Sequence, residues 1–72
     1  MDENKKLSML EDMLDMEEGS LTVDMQLGTI EEYDSMAKLA LMALMKTEFD
    51  KYITVKEINK FVTVQDVLNY ME

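Results

Sequence analysis

The sequence predicts a small all-α protein, a four-helix bundle with a long first loop and a short third helix, built as one domain over residues 1–72. Three observations lead there. Apolar residues recur at helical spacing in residues 2–16 and nearly fill residues 36–45; capping signatures stand at Thr54 and Thr63; and no strand signal exceeds the short Tyr52-Ile53-Thr54-Val55 run.

In residues 2–16, Leu7, Leu10, Met13 and Leu14 fall at i, i+3, i+6 and i+7, on one helical face, with acids and lysines opposite. Gly19-Ser20 then supplies stop and turn chemistry. From there to Tyr33 no period holds, so Leu21, Val23, Leu27 and Ile30 read as isolated anchors of a long ordered loop. Asp34 or Ser35 suits an N-cap, and nine of the ten residues 36–45 are apolar, with strong helix formers throughout. Thr54, with Glu57 three residues on, matches the capping box of a third helix over 55–60. Thr63 caps a fourth, which runs through Val64, Val67, Leu68 and Met71.

Composition narrows the function. The 72 residues include 16 acids, 7 bases and 9 Met, with no His, Cys, Pro or Trp, for a net charge of -9. A chain of this length buries only about 60% of its unfolded surface, which leaves no room for a deep catalytic crevice. Without Cys or His there is no disulfide framework, no thiolate or imidazole metal site, and no Ser-His or Cys-His catalysis. The expectation is a protein that is not an enzyme and holds no metal. The charge repels nucleic acid and anionic lipid, so the expected partners are basic protein surfaces. No apolar stretch approaches the ~18 residues of a membrane span and no signal-peptide pattern opens the chain, which predicts a cytoplasmic monomer without membrane insertion.

The second helix is the anomaly. A helix apolar all round should be wholly buried, and so small a protein cannot wholly bury one. Leu41, Met42, Met45 and Phe49 form the bulky stripe assigned to the core. Met36, Leu39, Ala40 and Ala43 lie mostly opposite, either as a second packing face or as a partner-docking face on which Met is adaptable. Glu32 and Asp34 at the helix start would steer such a partner by charge. Lys38, one turn after Ser35, either approaches an anion at the helix start or snorkels over the core edge. Residues 15–26 fail as a calcium hand, since Ser20 and Gln26 stand where Gly and Glu are required. Glu11, Asp12, Asp15, Glu17 and Glu18, like Glu31 and Glu32, read as mutually repelling surface acids.

Taken alone, Ser35 reads as a helix cap. Its surroundings say more. Asp34-Ser35-Met36 before an apolar helix, then Glu48-Phe49-Asp50, Ile53, and Thr63-Val64-Gln65-Asp66-Val67 ahead of Tyr70, follow an early Leu21-Thr22-Val23-Asp24 with Leu27. In this order, over essentially all 72 residues, the chain resembles the acyl carrier protein family. The resemblance implies a bundle of acyl-carrier type, with 4'-phosphopantetheine transferred from coenzyme A to Ser35, between Asp34 and Met36, by a phosphopantetheinyl transferase. Acyl intermediates would then travel as thioesters between acyl-loading and acyl-transferring enzymes. A helix N-terminus stabilises such a phosphodiester, and a chain without Cys must borrow its thiol from the arm.

An acyl chain folding back between the helices would meet Leu41, Met42, Met45, Ile53 and Ile58. The chain also departs from the family pattern. Glu32 stands two residues before the Asp, where carriers of fatty acid synthesis usually have Gly, and Ala37, Ala40, Lys46 and Thr47 replace acids along the second helix. These departures point to a dedicated fatty-acid, polyketide or related pathway. The Asp-Ser-Met variant also occurs in D-alanyl carriers, which makes an aminoacyl cargo one alternative; an unmodified acidic interaction module is the other.

Overall fold

A computed structural model describes residues 2–72. Among the described residues, four α-helices follow in order: α1 (Glu3–Leu14), α2 (Ser35–Phe49), α3 (Val55–Ile58) and α4 (Val64–Tyr70), with one 3₁₀ turn, Leu27–Thr29, in the first loop. α1 packs on α2 and α4.

Asp2 opens α1 by accepting from the Lys5 N–H at 2.9 Å, so the first residue of the expected helix is its cap. The helix ends earlier than its apolar pattern suggests. Asp15 adopts the left-handed conformation, φ 58°, and Met16 lies beyond it with its N–H on the Glu11 carbonyl at 2.8 Å. Asp tolerates this conformation because its short polar side chain bonds locally, which is why no Gly marks the stop. Gly19, at φ 86°, serves the turn that follows rather than the helix end.

The loop from residue 15 to 34 is ordered by three devices. Leu21, Leu27 and Ile30 are buried as its apolar anchors, with Val23 half-buried. Its backbone is also laced to the segment before α4: the Leu27 N–H donates to Val62 at 2.8 Å, the Val64 N–H to Met25 at 3.0 Å and the Gln65 N–H to Val23 at 3.0 Å. Last, Glu11 is only 3% exposed, and its Oε2 accepts from the Gly19 N–H at 2.9 Å and the Leu21 N–H at 3.0 Å. This corrects its placement among the repelling surface acids: Glu11 is an interior tether between α1 and the loop.

α2 buries a stripe of Ala37, Leu41 and Met45, the last two fully. Met42 and Phe49, assigned to the core from sequence, are half-buried at its margin, and small Ala37 takes the inner position instead. The helix runs four residues past Met45 and stops at Asp50, again left-handed at φ 52°. The Tyr52 to Val55 run forms no strand; Ile53 drops into the core, and Thr54 begins α3 with the expected capping box. α3 closes at Ile58 rather than residue 60, Asn59 being its C-cap. α4 is capped by Thr63, and Asp66 completes a second box, its carboxylate standing where the sequence signature has Glu or Gln. Ile58, Val64, Val67, Leu68 and Met71 finish the core, each such fully buried aliphatic side chain contributing about 1.5–3 kcal/mol.

Candidate functional site

The head of α2 brings an exposed hydroxyl, an acidic approach and a half-buried cation together. Ser35 is the first residue of the helix and is exposed. Asp34, immediately before it, is the N-cap; its Oδ1 accepts from the Ala37 N–H at 2.9 Å and its carbonyl from the Lys38 N–H at 3.0 Å. The first turn of a helix leaves N–H groups without intrahelical partners. Here Asp34 takes that of Ala37, and those of Ser35 and Met36 stay beside the hydroxyl with the positive end of a 15-residue helix behind them. An anion attached to Ser35 fits this end of the molecule.

Glu32 is exposed, and Met36 and Leu39 are exposed to 73% and 58%. Ala43 is exposed on the same helix and Ala40 is half-buried. The residues assigned to docking therefore form an uncovered, mostly apolar surface running down from Ser35.

Lys38 is half-buried, its stem lying beside Leu27, Tyr33 and Ile58 and its ammonium at an exposed hydrogen bond, as expected of a lysine that snorkels over the core edge. Its Nζ donates to Asn59 Oδ1 at 3.1 Å, spanning from α2 to the end of α3, and lies 6.0 Å from the centre of the Tyr33 ring. Lys38 and Asn59 also help to wall an open groove of about 220 Å³, together with Leu27, Tyr33, Ile58 and Phe61. A separate enclosed void of about 10 Å³ lies deeper, among Leu10, Leu21, Leu41, Val64 and Val67. Tyr33 and Leu27 belong to both walls. A wider depression of about 410 Å³ runs along α1 past Asp2, Lys5, Ser8 and Asp12, with no residue of the Ser35 region in its wall.

Of the five residues expected to receive a cargo chain, Leu41, Met45, Ile53 and Ile58 share one buried cluster and Met42 packs at its edge. Ile58 also lines the groove and Leu41 the enclosed void; Met42, Met45 and Ile53 line neither. Sequence reasoning missed Tyr33, Asn59 and Phe61. The first could have been found as an aromatic placed directly before Asp34-Ser35, whereas nothing in the local pattern marks the other two. Burial raises the Tyr33 phenol above its ordinary pKa of 10.0, so it stays protonated. Among the described residues, no group of three or more acids is placed to hold a metal ion.

No family model matches the chain, and no solved structure does. Curated relatives do. Acyl carrier proteins of Borrelia garinii subsp. bavariensis and of two strains of Borreliella burgdorferi are each 32% identical to it over 69 residues, covering 96% of this chain and 86% of theirs. Proteins of that name are carriers and not enzymes, and the four-helix architecture of this chain agrees with that class. The chain belongs to the acyl carrier protein family.

Proposed function

We propose that the protein carries acyl intermediates as thioesters on a 4'-phosphopantetheine arm attached to Ser35, in a dedicated fatty-acid, polyketide or related pathway. One observation carries this reading: in a chain of this family, the Asp34-Ser35-Met36 serine stands exposed at the start of α2, where N–H groups and the helix dipole favour a phosphodiester. When attached, the arm supplies the thiol that this chain lacks. In the attachment step the Ser35 Oγ–P bond would form as the pyrophosphate bond of coenzyme A breaks, adenosine 3',5'-bisphosphate leaving and the hydroxyl proton passing to a base of the transferase. Nothing in this chain needs to activate Ser35, and no His or Cys is present to do so.

The partners are then a phosphopantetheinyl transferase and acyl-handling enzymes with basic docking surfaces. Glu32 and Asp34 lie at the approach to Ser35 and favour rapid encounter with such a surface, while exposed Met36 and Leu39 supply contact area. Leu41, Met42, Met45, Ile53 and Ile58 would yield to a cargo chain entering the core. Among the described residues no helix is long and apolar enough to cross a membrane, in keeping with a cytoplasmic carrier.

The test is intact mass after incubation with a phosphopantetheinyl transferase and coenzyme A. The wild-type chain gains one arm and a Ser35→Ala variant gains none. Modification of the variant would move the site elsewhere, and an unchanged wild-type mass would favour the unmodified interaction module.

A further inference from the structure

The hydroxyl of Tyr33 is closed off from solvent and has no hydrogen-bond partner among the described residues. An orphaned buried hydroxyl is costly, and native proteins rarely keep one without a use. Of the two hollows that Tyr33 lines, the enclosed one offers the hydroxyl no partner. The adjoining void, about 10 Å³, is at the lower limit for one water, and its other walls, Leu10, Leu21, Leu41, Val64 and Val67 among them, offer no second polar side chain.

The position of Tyr33 supplies a use. It precedes Ser35 by two residues and forms part of the walls of both the open groove and the enclosed void. Lys38, three residues after Ser35, reaches Asn59 and holds its ammonium near the same ring. A chain tethered to Ser35 that enters this groove meets Tyr33 in its wall.

We propose that Tyr33 is a specificity-determining residue that donates a hydrogen bond from its buried hydroxyl to an oxygen on the entering acyl chain, so that the protein favours oxygenated over plain aliphatic cargo. This rests on Ser35 carrying an arm and deepens that reading by naming the cargo class. Burial keeps the phenol protonated and hence a donor. A plain alkyl chain would leave the hydroxyl as unpartnered as before, whereas a 3-oxo or 3-hydroxy chain carries an acceptor close to its thioester. Entry also requires Leu27 and Tyr33 to part, because the void is too small to admit a chain as it stands.

The experiment compares four forms of the wild-type and Tyr33→Phe chains: apo, bare-arm, octanoyl and 3-oxooctanoyl, each loaded form made with a transferase and the matching coenzyme A derivative and verified by mass. In the wild type, the 3-oxooctanoyl form should melt about 4–8 °C above the octanoyl form, the scale of one hydrogen bond in a domain of this size. In Tyr33→Phe that gap should vanish, and apo Tyr33→Phe should melt no lower than the apo wild type, since it discards an unpartnered group. Equal melting of the two acylated wild-type forms overturns the proposal. So does a Tyr33-dependent rise already complete in the bare-arm form, which would make an amide of the arm the acceptor. A fall of the apo variant by more than about 4 °C would mean that the hydroxyl has an internal partner, and would overturn the proposal equally. Failure of any form to load would overturn the carrier reading itself and is seen separately, in the mass.

Discussion

Replacing Glu11 with alanine should be the most damaging single acid-to-alanine change in the protein, although it lowers the net negative charge. The carboxylate holds two backbone donors with one oxygen, Gly19 N–H at 2.9 Å and Leu21 N–H at 3.0 Å. Their fates differ once it is gone. Gly19 is exposed, and water takes its N–H. Leu21 is buried, and its N–H is left without a partner at about 1–3 kcal/mol. Lost packing of the one deleted methylene adds about 1 kcal/mol. The sum of about 2–4 kcal/mol is a large share of the stability of a small domain and should lower the melting temperature by about 10–25 °C.

Two companions isolate the cause. Glu11→Gln keeps an oxygen where both donors converge and should cost only about 1 kcal/mol, the difference between a charged and a neutral acceptor. Asp12→Ala, at an exposed neighbour, should stay within about 0.5 kcal/mol of wild type. Thermal and urea unfolding followed by circular dichroism give the ranking, and hydrogen exchange at Leu21 reads the tether directly. If Glu11→Ala melts with Asp12→Ala, the tether contributes nothing and Glu11 returns to the surface acids.

Acid should weaken the α3–α4 corner. The Tyr70 hydroxyl and then the Thr54 N–H hold Glu57 below its ordinary pKa of 4.5, and the Val62 and Thr63 N–H groups hold Asp66 below 3.8. Depressed folded-state values lend stability that is complete above the ordinary values and is lost as pH falls through the lowered ones. The stability difference between wild type and Glu57→Gln should therefore shrink as pH drops below about 4, and a pH-independent difference would refute this. With a net charge of -9, the melting temperature should rise as salt shortens the screening length from about 30 Å at 0.01 M to about 8 Å at 0.15 M; a flat response would mean that the acids are already well spaced. Leu39→Glu should leave the helical fold unchanged while slowing cargo transfer from a cognate enzyme, and equal transfer rates would remove the α2 face from docking.

The helices were legible because their signals are local. Capping at Thr54 and Thr63 and the apolar run of α2 depend on residues within a turn or two of each other, and the structure keeps all three. Helix ends read less well. Asp15 and Asp50 stop α1 and α2 in left-handed conformations that the sequence pattern assigns to Gly or Asn. Glu11 was misread because burial of an acid is decided by two N–H groups eight and ten residues away in an aperiodic loop. The Lys38–Asn59 strap joins residues 21 apart, beyond the reach of any periodicity. At the proposed site, Ser35 and Asp34 drew attention through chemistry and context together, whereas Tyr33 marked only the end of an aperiodic stretch, because nothing in one dimension shows a hydroxyl left without a partner.

The docking face proposed for α2 would have to stay uncovered, and the core is closed by other elements. α2 turns only Ala37, Leu41 and Met45 fully inward, while Met36, Leu39 and Ala43 stay out. A helix that leaves Met36, Leu39 and Ala43 in solvent needs the core closed by something else, and the first loop does this with Leu21, Leu27 and Ile30. A loop serves as a core wall only if its backbone polar groups are satisfied, which is the work of Glu11 from one side and of the segment from Val62 to Gln65 from the other. On the proposed docking reading, stability and partner contact fall to different residues. Changes on the outer face of α2 should alter partner choice at little cost to folding, and changes at Glu11 should loosen the loop that presents Tyr33 and Asp34 to the groove and to Ser35.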